Sequence, residues 1–422
     1  MLEKIIDLHI HSKYSRACSK NLELPKIAVA CEEKGIDIVS TGDFTHPLWL
    51  AHMEESLEEV GNSGLFQLKN SQNRTRFIIG TEIACIYKHK EKVRRLHIMI
   101  YAPSFDVARK FIGAMEERGV NLRSDGRPIM GIQAKEIVQI CSQIDERVVV
   151  IPAHTWTPWF SVFGSKSGYD SLEECFEEMT PKIFAVETGL SSDPPMNRRL
   201  KQLDSIALVS NSDAHSLEKL GREANVLAFE NEAEVNYQAI WEIIKSGDKK
   251  RFLYTIEFYP EEGMYHFDGH RSCAVSMTPI ETIKAKEICP KCKKKLTVGV
   301  LSRVEKLADR SELEIPENFI PHRYSVPLRE IIAGCFGVGV QSKRVEKEYR
   351  LLLQQLGSEF SILLHLEIAK IAAAASDPGI ALGIQKMRSG TVKVVPGYDG
   401  VYGKVEIYSE EKVERARQVQ LI

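Results

Sequence analysis

Over the first half of this 422-residue chain, seven short apolar runs alternate with helix-like runs, and each apolar run carries His, Asp or Glu at one end. No other feature narrows the fold as much. The runs are residues 5–11 (IIDLHIH), 36–43 (IDIVSTGD), 76–87 (RFIIGTEIACIY), 95–103 (RLHIMIYAP), 148–154 (VVVIPAH), 183–189 (IFAVETG) and 206–215 (IALVSNSDAH). Helical patterns fall at residues 24–34, closed by Gly35 as a C-cap, and at 47–60 behind Pro47. Others fall at 106–118, 133–142, 170–179 and 195–203. Mostly alternating strand and helix predicts an α/β fold with a parallel sheet, open or closed into a barrel.

The polar residues at the run ends carry the chemistry. On a strand, Asp7, His9 and His11 share one face, which sets the two imidazoles about 7 Å apart at ~3.3 Å per residue. Alone, such a pair is equally a metal site or two hydrogen-bonded core histidines. Asp43, Glu82, His154, Asp213 and His215 then follow further apolar cores, and His97 opens one. The carboxyl ends of strands are where barrel and doubly wound enzymes build their sites. Mixed imidazole and carboxylate donors suit Zn, Mn or Fe rather than Ca. Eight donors exceed the needs of one ion and fit two or three that share a carboxylate, with Glu82 the natural bridge. Such clusters hydrolyse phosphate esters.

The second half adds a different donor set. Cys289 and Cys292 form a CxxC, and His270 and Cys273 an HxxC just before it, spacings that read as a small structural zinc site. His266 competes with His270 for a place in it. The same segment presents Lys291, Lys293, Lys294 and Lys295, as a basic patch or a solvated face. Trp156, Trp159, Phe160 and Phe163 follow His154, either as packing or as a surface on which bases stack. Residues 326–356 read as helix, Gly-rich turn (Gly334, Gly337, Gly339) and helix. Lys343 and Arg344 open the second helix, which suits phosphate contact or a plain αα-hairpin. A further helix over 360–374 and a short β element over 391–408 close the pattern.

Composition removes several classes. No run of about 18 apolar residues is present, so no membrane span is expected. The start runs directly into a strand pattern without a basic and apolar leader, so no secretory signal is expected. Nine scattered cysteines fit the reducing cytoplasm better than a disulfide scaffold. A net charge of −2 does not advertise nucleic-acid binding, although residues 281–350 hold 15 Lys and Arg against 10 Asp and Glu.

DLHIHS, TGD, GTE, PAH and SDAH, in this order, resemble the polymerase-and-histidinol-phosphatase (PHP) superfamily over residues 1–230. The resemblance implies a distorted seven-stranded barrel with a trinuclear metal site for phosphoester hydrolysis. Its ligands would be His9, His11, Asp43, Glu82, His97, His154, Asp213 and His215, with Asp213, Glu82 and His215 central to catalysis. One departure stands out. The second motif, Asp-His in the family, is here Gly42-Asp43-Phe44-Thr45-His46, so Asp43 takes the ligand role and His46 is a displaced alternative. Asp7 is expected behind the metals, orienting a ligand. Glu187 has no counterpart role.

With YHFDGHRSC, CPKC, LSRVEKLADR, FGVG and PGYDGVYGK added, the whole chain resembles the endonuclease Q family. That implies a barrel at 1–230, a zinc-binding module at 255–300 and a mostly helical DNA-binding region at 301–422. It also implies nicking of DNA 5′ of deaminated bases (uracil, hypoxanthine, xanthine) and of abasic sites, with two or three divalent metals (Zn, Mn, Mg or Fe) and one structural zinc. Trp159, Phe160, Lys291, Lys293, Lys343 and Arg344 are the candidate DNA contacts. A small-molecule phosphatase of the histidinol-phosphatase type, and a DNA-binding protein with a non-catalytic barrel, are the alternatives. Residues 418–422 (QVQLI) read as a sliding-clamp tail or a frayed end. The general base is left among His46, Asp7 and a metal hydroxide.

Overall fold

The computed structural model describes residues 1–316 and 319–408, so residues 418–422 lie outside it. All seven expected strands form, with other bounds. Five of them, Leu2–Asp7, Ile38–Ser40, Arg76–His89, Lys92–Ala102 and Val149–Pro152, belong to an eleven-stranded sheet. Ala185–Glu187 and Ala207–Val209 pair in parallel beside it.

The sheet is mixed rather than parallel, which corrects the expectation. Leu2–Asp7, Ile38–Ser40 and Arg76–His89 run parallel, but Arg76–His89 and Lys92–Ala102 are antiparallel. The cause is local. Only Lys90 and Glu91 separate those two strands, both with positive φ (47° and 63°), and a two-residue turn of that hand closes an antiparallel hairpin. Six strands of this sheet, among the described residues, were not expected. Among them, Ala224–Phe229, Phe252–Glu257 and His322–Tyr324 extend the sheet outward from Leu2–Asp7. The sheet therefore continues past residue 230.

The core has two layers. Ile6, Leu8, Met99, Tyr101, Ile151 and Val209 pack with Ile240, Trp241 and Ile244 of the helix Tyr237–Ser246. Ile10, Val39 and Ile79 pack instead with the helices Leu24–Lys34, Phe105–Glu116 and Ala134–Ile144. Among the described residues no helix is long and apolar enough to cross a membrane.

The later segments form small units. The hairpin Asp268–His270/Val275–Met277 and the helix Pro279–Lys284, held by a Thr278/Glu281 capping box, surround a core of Val275, Cys289 and Leu296. Arg303, on the helix Val300–Leu307 that follows this unit, donates to the carbonyls of Phe163 (2.8 Å) and Tyr169 (2.9 Å) in the loop after His154. Helices Leu328–Phe336 and Lys343–Leu356 join through Gly337, whose φ of 64° places it in the left-handed region that Gly tolerates best. The antiparallel pair Lys393–Val395/Lys404–Glu406 is the expected terminal β element.

Glu359 bolts the helical region to the first half. Its buried carboxylate accepts from Lys34 Nζ (3.3 Å), Tyr349 Oη (2.8 Å) and the Leu328 N–H (2.9 Å). Burial alone would raise this carboxyl, but Lys34 and the two donors hold it below its ordinary value. Its stabilisation is thus present above the unfolded carboxyl value of about 4.3 and lost as pH falls through the depressed value. Glu359→Gln is expected to cost about 2–3 kcal/mol in urea unfolding at pH 7 and less near pH 3. An equal cost at both pH values would exclude this account.

Candidate active site

The strand Leu2–Asp7 ends before His9, so the imidazoles of His9 and His11 project from the segment beyond its carboxyl end. Ile10 bridges Ala214 there, which brings the Asp213–His215 segment alongside. Three candidate ligands hold a left-handed backbone without being glycine: Asp43 (φ 51°), His154 (φ 28°) and Asp213 (φ 45°). Such conformations cost of order 1–3 kcal/mol each and collect at functional sites.

Three adjoining groups emerge, each with donor atoms within 4.8 Å of one another: His9, His11 and Glu82; Glu82, His97 and His154; His11, Asp213 and His215. Glu82, fully buried, joins the first two. Its Oε1 lies 2.7 Å from His97 Nδ1 and 3.1 Å from His154 Nε2. Its Oε2 lies 3.3 Å from His11 Nε2 and 2.9 Å from Arg127 Nη1. His11 joins the first and third, with Asp213 Oδ1 at 3.1 Å from its Nε2. His9 Nε2 is a buried nitrogen without a hydrogen-bond partner, 3.7 Å from Glu82 and 3.6 Å from Asp213. An orphaned imidazole nitrogen aimed at two carboxylates fits a shared cation.

Supporting carboxylates fix the rings from behind. Glu187, to which the sequence assigned no role, faces His9 Nδ1 at 3.0 Å and accepts from Asn211 Nδ2 (2.8 Å) and the His154 N–H (2.7 Å). Asp43 stands outside the three groups. Its Oδ1 faces His11 Nδ1 at 3.1 Å, and its Oδ2 accepts from the Ser12 N–H (2.7 Å), Ser12 Oγ (2.7 Å) and Ser15 Oγ (2.9 Å). Both arrangements leave Nε2 directed into the cluster. Asp7 holds no ring. It accepts from Ser212 Oγ (2.6 Å) and the Gly221 N–H (2.9 Å), and so ties down the loop that carries Asp213 and His215. His46 stacks on Tyr14 at 4.3 Å, away from the groups.

The cluster is strongly anionic. Burial would push the His9 and His11 imidazoles down. Glu187, Asp213 and Glu82 around His9, and Asp43, Asp213 and Glu82 around His11, reverse this and hold both well above the ordinary value. Burial would raise Glu82 and Asp213, yet the surrounding cations keep both carboxyls far below theirs. At His97 burial prevails and pushes the imidazole down to about 4. A field that raises buried imidazoles also attracts metal cations.

The remaining candidates fall elsewhere. His270, Cys273, Cys289 and Cys292 converge as a fourth group, without His266. Phe160 packs on His97 at 4.6 Å and Trp159 on Tyr265 at 5.6 Å, both half-buried. Lys291 Nζ and Lys293 Nζ donate to the carbonyls of Cys273 (2.7 Å) and Pro290 (3.0 Å). Lys343 is exposed at the helix start, and Arg344 lies over the Phe336 ring at 3.9 Å.

The α/β sheet with imidazoles and carboxylates gathered beyond its strand ends is shared with solved endonucleases that act on DNA, which makes the chain a phosphodiester hydrolase. Two solved structures extend the match to nearly the whole chain. The lesion-specific endonuclease PfuEndoQ from Pyrococcus furiosus is 31% identical with a TM-score of 0.84, over 98% of this chain and 99% of that one. Endonuclease Q in complex with a 27-mer duplex substrate, an abasic lesion at its active site, is 32% identical with a TM-score of 0.85, over 97% and 98%. The chain belongs to the endonuclease Q family. Residues 327–391 match the family model described as the MJ0043 C-terminal domain. The Methanocaldococcus jannaschii protein MJ0043 is itself 31% identical over 267 residues, 62% of this chain but only 32% of that protein's length.

Proposed function

We propose that this protein is a metal-dependent DNA endonuclease that cuts the phosphodiester 5′ of deaminated bases (uracil, hypoxanthine, xanthine) and of abasic sites. The observation that carries the reading is the near full-length likeness to an endonuclease Q bound to an abasic duplex. It includes the cysteine-rich unit and the helical hairpin, which a small-molecule phosphatase does not need.

The three His and carboxylate groups would hold two or three divalent metals, and His270, Cys273, Cys289 and Cys292 one structural zinc. Bound metals would supply a hydroxide nucleophile at neutral pH and neutralise charge on the phosphoryl and leaving oxygens. The chain's own residues supply order. Glu187 and Asp43 fix the orientation of His9 and His11, and Asp7 fixes the loop of Asp213 and His215. A damaged or missing base costs less to extrude from the stack, which favours lesions over intact pairs. Lys343 and Arg344, at the exposed start of their helix, would contact the DNA backbone.

The test is an end-labelled duplex with one deoxyuridine or deoxyinosine, incubated with Mg or Mn, with EDTA, and with Asp213→Ala. One cut 5′ of the lesion, lost with EDTA and with the variant, is expected. Release of phosphate from small monoesters without a cut would overturn the reading.

A further inference from the structure

We propose that Arg127 grips the non-bridging oxygens of the scissile phosphodiester, an inference that rests on the endonuclease reading above. Arg127 lies on the loop 121–128, which the resemblance to known families left without a role. The loop is held from both sides. The Gly126 N–H donates to the Tyr14 carbonyl (3.1 Å), and the Ala84 N–H to the Pro128 carbonyl (3.0 Å). Gly126 is wedged so tightly that an added Cβ would overlap Asp43 Oδ2 and Ser15 Oγ. The Arg127 N–H donates to Asp125 Oδ1 (3.1 Å), which fixes the direction in which the side chain leaves the loop.

At the far end, Arg127 Nη1 donates to Glu82 Oε2 at 2.9 Å, yet the side chain is still 23% exposed. The guanidinium is therefore anchored at one corner of the cluster with part of its surface open. Among the described residues no other Lys or Arg side chain pairs with the carboxylates of Glu82, Asp213, Glu187 or Asp43. Arg222 reaches the same loop but donates to the backbone carbonyls of Ser212 and Asp213.

Holding Glu82 is a weak reason for a cation here. Glu82 already faces His97, His154 and His11, and a buried ion pair adds little net stability. A substrate phosphate supplies a better one. A phosphodiester spreads one negative charge over two equivalent oxygens, and four buried or half-buried carboxylates would repel it. A guanidinium has five N–H donors in a planar fork that matches two such oxygens, and only one donor is engaged by Glu82. Charge on those oxygens is carried into the transition state of phosphoryl transfer, where a fixed donor in a water-poor site acts most strongly. Lysine offers one point charge without the fork.

The experiment compares lesion duplexes with either a natural or an uncharged methylphosphonate linkage at the scissile position. Wild type, Arg127→Ala and Arg127→Lys are tested. Binding is read in EDTA, single-turnover nicking with Mn, and metal content by elemental analysis. Wild type is expected to bind the uncharged duplex ~10-fold more weakly than the natural one. Arg127→Ala is expected to lose that preference or invert it, because the carboxylates then face the charged linkage alone, to nick ~10²–10³-fold more slowly and to keep its metals. Arg127→Lys should regain charge discrimination but little of the rate. Arg127→Ala that still discriminates as wild type does overturns the proposal. So does a variant whose rate falls only because its metals are lost, since Arg127 would then merely hold Glu82. Wild type that never nicks the natural lesion duplex removes the endonuclease reading itself. Nicking by wild type with an undisturbed Arg127→Ala removes this inference alone.

Discussion

Glu82→Gln is expected to slow nicking by ~10³-fold or more, about 4 kcal/mol of barrier, and to lower the metal content of the first half. Glu82 belongs to two of the three donor groups, and each of its oxygens faces different partners. Oε1 serves His97 and His154; Oε2 serves His11 and Arg127. Glutamine keeps the shape but removes the charge. One terminus also becomes an NH2 donor turned either toward Arg127, itself only a donor, or toward the imidazoles. The first orientation leaves a buried clash of donors, and neither attracts a cation. Glu82→Asp separates charge from reach: it keeps the carboxylate but draws it back by one methylene, so it should recover metal more than rate. The checks are elemental analysis, single-turnover nicking and circular dichroism on the same preparations. A folded Glu82→Gln with full metal content and a rate within tenfold of wild type would remove Glu82 from the centre of the site.

How much of this could be read beforehand differs by element. The seven apolar runs announced strands because β-branched clusters bounded by Gly, Pro or Asp have few other uses. Their pairing was hidden. The hairpin at Lys90-Glu91 lacks the Asn and Gly that usually mark a positive-φ turn, so nothing in the residues signalled an antiparallel partner. The first strand also came out displaced. IIDLHIH alternates well, yet Leu2–Asp7 is what pairs with Ala224–Phe229, and the histidines pass beyond the ladder. Ligand-type residues at run ends were legible because a strand end fixes where a side chain stands. Supporting residues were not, since Glu187 lies 178 residues from His9 and Arg127 lies 45 from Glu82. Only the assembled fold brings such pairs together. Asp43 shows the middle case: its motif placed it at the site, while its bonds to Ser12 and Ser15 turn it to the back of His11 rather than into the groups.

Cys289→Ser should act on the other donor set and leave the first intact. Val275, Cys289 and Leu296 are the whole buried core of that unit, with Cys289 fully enclosed. Three side chains cannot offset the ordering of some thirty residues, and units this small fold with a metal or not at all. Structural zinc supplies apparent binding energies of ~10–16 kcal/mol in small metal-dependent folds, and serine does not replace a thiolate. The variant is expected to lose one zinc per chain and to become sensitive to limited proteolysis over residues 265–298, while metal held by the His and carboxylate groups stays. Cys292→Ser is the necessary companion. Cys292 is largely exposed, with Sγ 3.4 Å from His270 Nδ1, so its loss removes a ligand without emptying the core. The same loss of zinc and protection in both variants would attribute the effect to coordination rather than packing. Because the helix that follows this unit is tied through Arg303 to the loop after His154, DNA affinity should fall in both even though the catalytic groups are untouched. Zinc retention by either variant, with residues 265–298 still protected, would mean that the four side chains meet without holding a metal.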